Sequence, residues 1–125
     1  MQRLPDSELD VMLCLWEADE AVPRAYIDQR LRHRNLNANT VNTYLSRLED
    51  KGFVACKRQG KSNYYTPLVA REDYLSFEGT TMLGKLYGNS VKNLMVSLAD
   101  ANAIKEGDIA ELQALLDNLK EGANG

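Results

Sequence analysis

Cysteine and histidine are scarce in this chain. Two cysteines and one histidine among 125 residues cannot build a disulfide framework or a four-ligand zinc site. Long hydrophobic runs are missing as well; no apolar stretch approaches the ~18–20 residues that a membrane-spanning helix needs. The first ten residues hold Arg3, Asp6, Glu8 and Asp10 but no apolar h-region, so no secretory signal is expected. A reduced, cytoplasmic setting is the corresponding expectation. No nucleophile–base set, glycine-rich phosphate loop or metal-ligand cluster can be picked out. That argues against an enzyme, a cofactor and a bound metal.

What is present is ordinary globular composition. Hydrophobic residues make up 44% and charged residues 26%, enough apolar surface to form a core. The length suits one compact domain, or a small domain with an extension. The net charge of −3 hides an asymmetry. Residues 1–20 carry a net −5, and residues 72–125 another −5. Between them, residues 24–71 hold ten Lys/Arg against three Asp/Glu, a net +7. A basic middle inside an acidic protein suggests a local surface for a polyanion, the alternative being a solvated charged face.

Periodicity organises the chain into helices. Leu9, Met12, Leu13 and Trp16 recur at helical spacing and predict a core-facing stripe on a first helix over residues 6–18. Cys14 within it is expected to pack as a small hydrophobe. Pro23 can open a second helix, because its missing N–H costs nothing there. Tyr26, Ile27 and Leu31 mark the buried side of that helix, with Arg30, Arg32 and Arg34 off it. After the connector Asn35-Leu36-Asn37, a third helix is predicted from Ala38 to Lys51, with Asn37 as N-cap and Gly52 as terminator.

The third helix is the most informative element. Val41, Tyr44, Leu45 and Leu48 share one arc at 100° per residue. Asn39, Thr40, Asn42, Thr43, Ser46 and Arg47 share the opposite one. An ordinary solvated face carries more Glu and Lys. Asn, Thr, Ser and Arg are side chains that hydrogen-bond base edges and phosphates. Two strand-like runs follow, at residues 53–58 and 63–66, joined by Gln59-Gly60-Lys61-Ser62 and ended by Pro67. Lys57, Arg58 and Lys61 cluster at the hairpin tip, and Cys56 is expected to pack inside the strand. Three helices and a basic-tipped hairpin are the layout of a winged helix-turn-helix, with the third helix able to enter a major groove.

The remainder is helical again, near residues 72–87, 90–101 and 106–120. Leu75, Met82, Leu83 and Leu86 line the first segment, and Val91, Leu94, Met95 and Leu98 the second. Ile109, Leu112, Leu116 and Leu119 form a short heptad-like seam on the third. Residues 122–125 are expected to fray. Such short amphipathic segments bury little surface alone, so a symmetric homodimer with this region as its interface is expected. The dimerisation positions are Leu75, Leu86, Val91, Leu94, Met95, Leu98, Ile109, Leu112, Leu116 and Leu119. The fold class is therefore mainly α with a small β-hairpin wing. It divides into a winged-helix DNA-binding domain over residues 1–72 and a helical dimerisation domain over residues 73–125.

Several separated motifs resemble one family. Leu4-Pro5-Asp6-Ser7-Glu8-Leu9-Asp10-Val11-Met12 with Leu15-Trp16 is similar to the opening motif of the penicillinase-repressor family. These are bacterial winged-helix repressors that include the methicillin-resistance and copper-transport repressors. Asn39-Thr40-Val41-Asn42-Thr43 with Leu45, Arg47-Leu48 and Lys51-Gly52 resembles its recognition helix. Tyr65-Thr66-Pro67 and Asp73-Tyr74 resemble the end of its wing, and the likeness runs on through Ile109 and Glu111-Leu112.

The resemblance implies a dimeric transcriptional repressor that binds double-stranded DNA at an inverted-repeat promoter operator, often with TACA/TGTA-like half-sites. It implies that Thr40, Asn42, Thr43 and Arg47 face the groove, and that Arg58 and Tyr65 serve the wing. It also brings in a sensor protease as a candidate partner. The rival class is a winged-helix protein-interaction module that never touches nucleic acid. Three departures stand out. The family's Thr or Ser near the start is Pro5 here, so Asp6 is expected to cap the first helix. The position at which well-known members are cut between Asn and Phe reads Ser97-Leu98. No cysteine follows Cys56, which excludes copper sensing through the family's C-terminal Cys-x-Cys motifs.

Overall fold

Helical periodicity dominates the sequence, and helices dominate the structure. The computed structural model describes residues 1–34 and 36–124. Helix α1 spans Asp6–Glu17, strand β1 Val22–Pro23 and helix α2 Arg24–Arg30, followed by a 3-10 turn at Arg32–Arg34. Helix α3 spans Ala38–Asp50, and strands β2 and β3 span Val54–Gln59 and Ser62–Pro67. Helices α4, α5 and α6 span Arg71–Tyr87, Val91–Asp100 and Glu106–Asn124. The chain forms two compact units, residues 1–79 and 80–125. The division between these units falls inside α4, and Tyr74 belongs to the core of the first.

The first unit is a winged helix. The hairpin closes at Gln59↔Ser62 around Gly60-Lys61, with Gly60 at φ +63°, the left-handed conformation that glycine adopts without strain. The sequence did not reveal β1, two residues that pair with Tyr64 and Tyr65 to complete an antiparallel sheet in the order β1-β3-β2. So short a strand has no alternation to detect; it exists because β3 offers a free edge.

The core joins all three N-terminal helices to the sheet. Val11, Met12 and Leu15 of α1, Ile27 and Leu31, and Val41, Leu45 and Leu48 of α3 are buried. Each such side chain contributes about 1.5–3 kcal/mol by leaving water. Phe53, Val54 and Tyr65 close the core from the sheet. Tyr74 of α4 enters it fully buried, its ring 5.7 Å from both Trp16 and Phe53. Its hydroxyl accepts a 2.8 Å hydrogen bond from the Leu4 backbone N–H, and the Trp16 indole donates to the Val69 carbonyl at 2.9 Å.

Three local expectations are corrected. The buried side of α1 is Glu8, Val11, Met12, Cys14 and Leu15, whereas Leu13 is exposed. The helix is apolar on several sides, and α3 and the sheet select which side is covered. Pro5, not Asp6, occupies the N-cap, and no side chain caps that end. Cys56 is exposed although it stands opposite the buried Tyr65 on the same face of the sheet, because beyond Val54 every residue of β2 is exposed as the wing extends past the core. At the chain's end, α6 continues through Gly122; Asn35 and Gly125 lie outside the described residues.

Among the described residues, Glu8 is the one buried carboxylate, 1% exposed, and its Oε1 lies 2.5 Å from Lys51 Nζ. The pair ties α1 to the end of α3. Removing one partner leaves a buried charge without compensation, which costs far more than the pair contributes. Lys51→Met is expected to destabilise the protein by about 3 kcal/mol, read as a lowered urea midpoint, and Glu8→Gln added to it should recover much of the loss. The cysteines give a second test. Burial pushes the Cys14 thiol above its ordinary value of 9.0, with the Glu17 carboxylate adding to the rise. The thiol form therefore persists as pH rises through the ordinary range, and only the thiolate attacks. A thiol reagent at neutral pH should label Cys56 at once and Cys14 only on unfolding; equal rates in the native protein would contradict this arrangement.

Candidate nucleic-acid interface

The interface is built on α3, whose two ends are chemically defined. Asn37 Oδ1 accepts from the Thr40 N–H at 2.8 Å and from the Thr40 hydroxyl at 3.1 Å, capping the N-terminus. At the other end Gly52 adopts φ +81°. The Phe53 N–H bonds the Leu48 carbonyl at 2.8 Å and the Gly52 N–H bonds Glu49 at 3.0 Å, a Schellman closure that only a left-handed residue permits. Between these ends, burial of Val41, Leu45 and Leu48 turns the opposite arc outward.

That arc is the one expected to meet a duplex. Asn39, Asn42, Thr43, Ser46 and Arg47 are exposed, and Thr40 is half-buried. The Thr43 hydroxyl donates to the Asn39 carbonyl at 3.0 Å, so its proton is spent within the helix and its methyl and lone pairs remain outward. Among the described residues, Asn39, Ser46 and Arg47 make no side-chain hydrogen bond or ion pair within the chain. The wing presents Lys57, Arg58 and Lys61, all exposed. Arg58 Nε bonds the Gly60 carbonyl at 3.3 Å, which steadies the tip.

Tyr65 does not join them. It is 7% exposed and part of the core cluster. Burial pushes its hydroxyl above the ordinary tyrosine value, and the neighbouring Cys56 thiol adds to the rise. Alternation along β3 puts Tyr65 inward, so it is a packing residue and not a contact on the wing surface.

The basic middle is less free than its net charge suggests. Arg30 pairs with Glu17 at 3.4 Å, Arg34 with Asp10 at 2.6 Å and Lys51 with Glu8 at 2.5 Å. Those three carboxylates belong to α1. Arg30 also stacks over the Tyr26 ring at 5.3 Å. Arg24 pairs with Asp28 at 3.0 Å, on its own helix. Among the described residues, Arg32, Arg47, Lys57, Arg58, Lys61 and Arg71 carry no such counter-charge, and four of these six lie on α3 or the wing. Arg24 is the residue that sequence reasoning missed. It reaches from α2 to the Ala38 carbonyl at 2.8 Å and to the Asn42 side-chain oxygen, and nothing in its local sequence sets it apart from nine other basic residues.

The positions expected at a dimer interface also have a place. Leu75, Leu86, Val91, Ile109, Leu116 and Leu119 are exposed, and Leu94, Met95, Leu98 and Leu112 are half-buried. Among the described residues no group of three His, Cys, Asp or Glu side chains could hold a metal ion, and no helix is long and apolar enough to cross a membrane.

The chain is similar in sequence to known regulators. A family model described as penicillinase repressor matches residues 4–118. The penicillinase repressor of Bacillus licheniformis is 24% identical over 123 residues, covering 96% of both chains. The methicillin resistance regulatory protein MecI of Mammaliicoccus sciuri is 24% identical over 114 residues, covering 91% of this chain and 93% of its own. AbfR of Staphylococcus epidermidis, a crystal structure, aligns with a TM-score of 0.45 at 21% identity, over 96% of this chain and 74% of that one. The chain therefore belongs to the penicillinase repressor family of DNA-binding transcriptional repressors, and it is a transcription regulator, not an enzyme.

Proposed function

We propose that this repressor acts as a homodimer on an inverted-repeat operator, in the cytoplasm, with α3 in the major groove and the wing along the backbone. The observation that carries the reading is the outward arc of α3. It is a continuous uncharged polar surface ending in the unpaired Arg47, on a helix whose other side is locked into the core. Arg47 and the hydrogen-bonding side chains beside it supply base readout, each good bidentate contact discriminating by ~1–3 kcal/mol. Lys57, Arg58 and Lys61 neutralise phosphates and release counterions, so affinity falls steeply with salt. One α3 offers few contacts, and two copies spaced by about one DNA turn supply the specificity that one lacks.

The case for a dimer rests on the C-terminal helices, which we assign to dimerisation with a DNA-binding region ahead of them, divided near residue 72. From Leu75 to Glu121 no described residue is buried. Leu86, Val91, Val96, Ile109, Leu115, Leu116 and Leu119 are all exposed. Within the second unit, α5 and α6 leave an apolar groove of about 360 Å³ lined by Met95, Leu98, Ile104, Leu112 and Leu115. Helices without a core of their own gain one by pairing with a second copy. A sensor protease is a further partner in this reading. It would have to unwind α5 to reach the Ser97–Leu98 bond, which lies inside that helix, and proteases prefer exposed loops.

Filter binding to operator duplex at two salt concentrations tests the DNA contacts. Arg47→Ala should lower operator affinity by about five- to a hundredfold and relax base preference. Lys61→Ala should weaken binding to every sequence alike and flatten the logarithmic salt slope by about one unit. Wild-type binding by both variants would refute the assignment of this face; no binding at all, even at low salt, would favour a protein partner instead. Sedimentation tests the assembly. Leu116→Asp should raise the dimer dissociation constant at least tenfold, and an unchanged profile at micromolar concentration would count against this interface.

A further inference from the structure

Arg24 links α2 to α3. Its guanidinium faces α3 and not the solvent side of its own helix. Nε donates to Asp28 Oδ1 at 3.0 Å, one terminal N–H₂ donates to the Ala38 carbonyl at 2.8 Å, and the other donates to Asn42 Oδ1. Three acceptors from two helices hold the group in a fixed plane. A guanidinium has five donors and no acceptor, and it does not deprotonate in proteins. Whatever faces it must accept, so the amide atom of Asn42 turned to Arg24 is the oxygen and its nitrogen is turned away. Asn42 itself is exposed on the outward arc of α3.

This matters because asparagine reads adenine by using both halves of its amide, accepting from N6 and donating to N7. Here the oxygen is already engaged by a cation. Its remaining lone pair lies beside a guanidinium, which repels the incoming N–H of an adenine amino group. The nitrogen keeps two free donors, which suit the O6 and N7 acceptors of guanine or the O4 of thymine.

We propose that Arg24 is a specificity-determining residue that makes Asn42 a donor-only reader, so the base beneath Asn42 is guanine or thymine in preference to adenine. Arg24 acts through Asn42 and is a positioning residue. The proposal rests on the reading of α3 as the helix in the groove.

Selection from random duplexes, run in parallel on the full-length wild type, Asn42→Ala, Arg24→Met and Arg24→Lys, tests it. Asn42→Ala locates the base position, as the one whose preference is lost. At that position the wild type should disfavour adenine. Arg24→Met should raise adenine relative to guanine by about fivefold or more, the discrimination of one bidentate pair. Arg24→Lys should keep the wild-type preference, because an ammonium also only donates. A wild-type preference for adenine there overturns the proposal without any variant, and so does an Asn42→Ala profile identical to the wild type. If Arg24→Met weakens all sequences equally and leaves the preference unchanged, Arg24 is a phosphate contact and the proposal fails. Enrichment of no duplex by the wild type overturns the DNA-binding reading of α3, and this proposal with it; failure at the Asn42 position alone leaves that reading standing.

Discussion

One helix can bury only one arc, and in this protein that limit governs the rest. Val41, Leu45 and Leu48 commit one side of α3 to the core. The Asn37 cap and the Gly52 closure fix where the helix begins and ends, and the Glu8–Lys51 pair anchors its C-terminal end to α1. With its axial position and rotation set, the side chains on the other arc have no choice but to face outward. A recognition surface needs this kind of rigidity, because base contacts lose their discrimination when the side chains that make them are loosely placed.

Charge is distributed by the same packing. The basic middle and the acidic first helix look like opposite poles in the chain, yet the fold sets them against each other. Glu8, Asp10 and Glu17 each take a cation from the basic stretch. The Arg30–Glu17 pair is solvent-exposed and stabilises little, whereas Asp10 is partly buried against Arg34. The larger effect of the pairs is electrostatic. They cancel part of the charge of the basic middle and leave Arg47 and the wing cations, with Arg32 and Arg71, without ion-pair partners among the described residues. A field concentrated on one face steers a polyanion better than the same charge spread over the whole surface.

The second unit obeys a different constraint. Its helices are well formed and amphipathic, but nothing beyond Tyr74 is buried among the described residues. Apolar contiguity without burial is a feature of interfaces rather than of finished cores. Tyr74 marks the transition. It is the last fully buried residue among those described, Phe77 packs against the same core a turn later, and α4 carries on from there into exposed apolar residues such as Leu86.

Local pattern alone determined much of this protein. Helical spacing, the Asn37 cap, the Gly52 terminator and the hairpin punctuation all act within a few residues, so α3, its two arcs and the wing were legible in the chain. Other features depended on what packs against what. The covered side of α1, the inward turn of Tyr65, the exposure of Cys56 and the two-residue strand β1 were decided by tertiary neighbours far away in sequence. So were the pairing of Arg30 and Arg34 with α1 and the reach of Arg24 to Asn42. The physical reason is one of range. Backbone propensity and capping are satisfied by near neighbours, whereas burial, counter-charge and the orientation of an amide are satisfied by whichever groups the fold brings close.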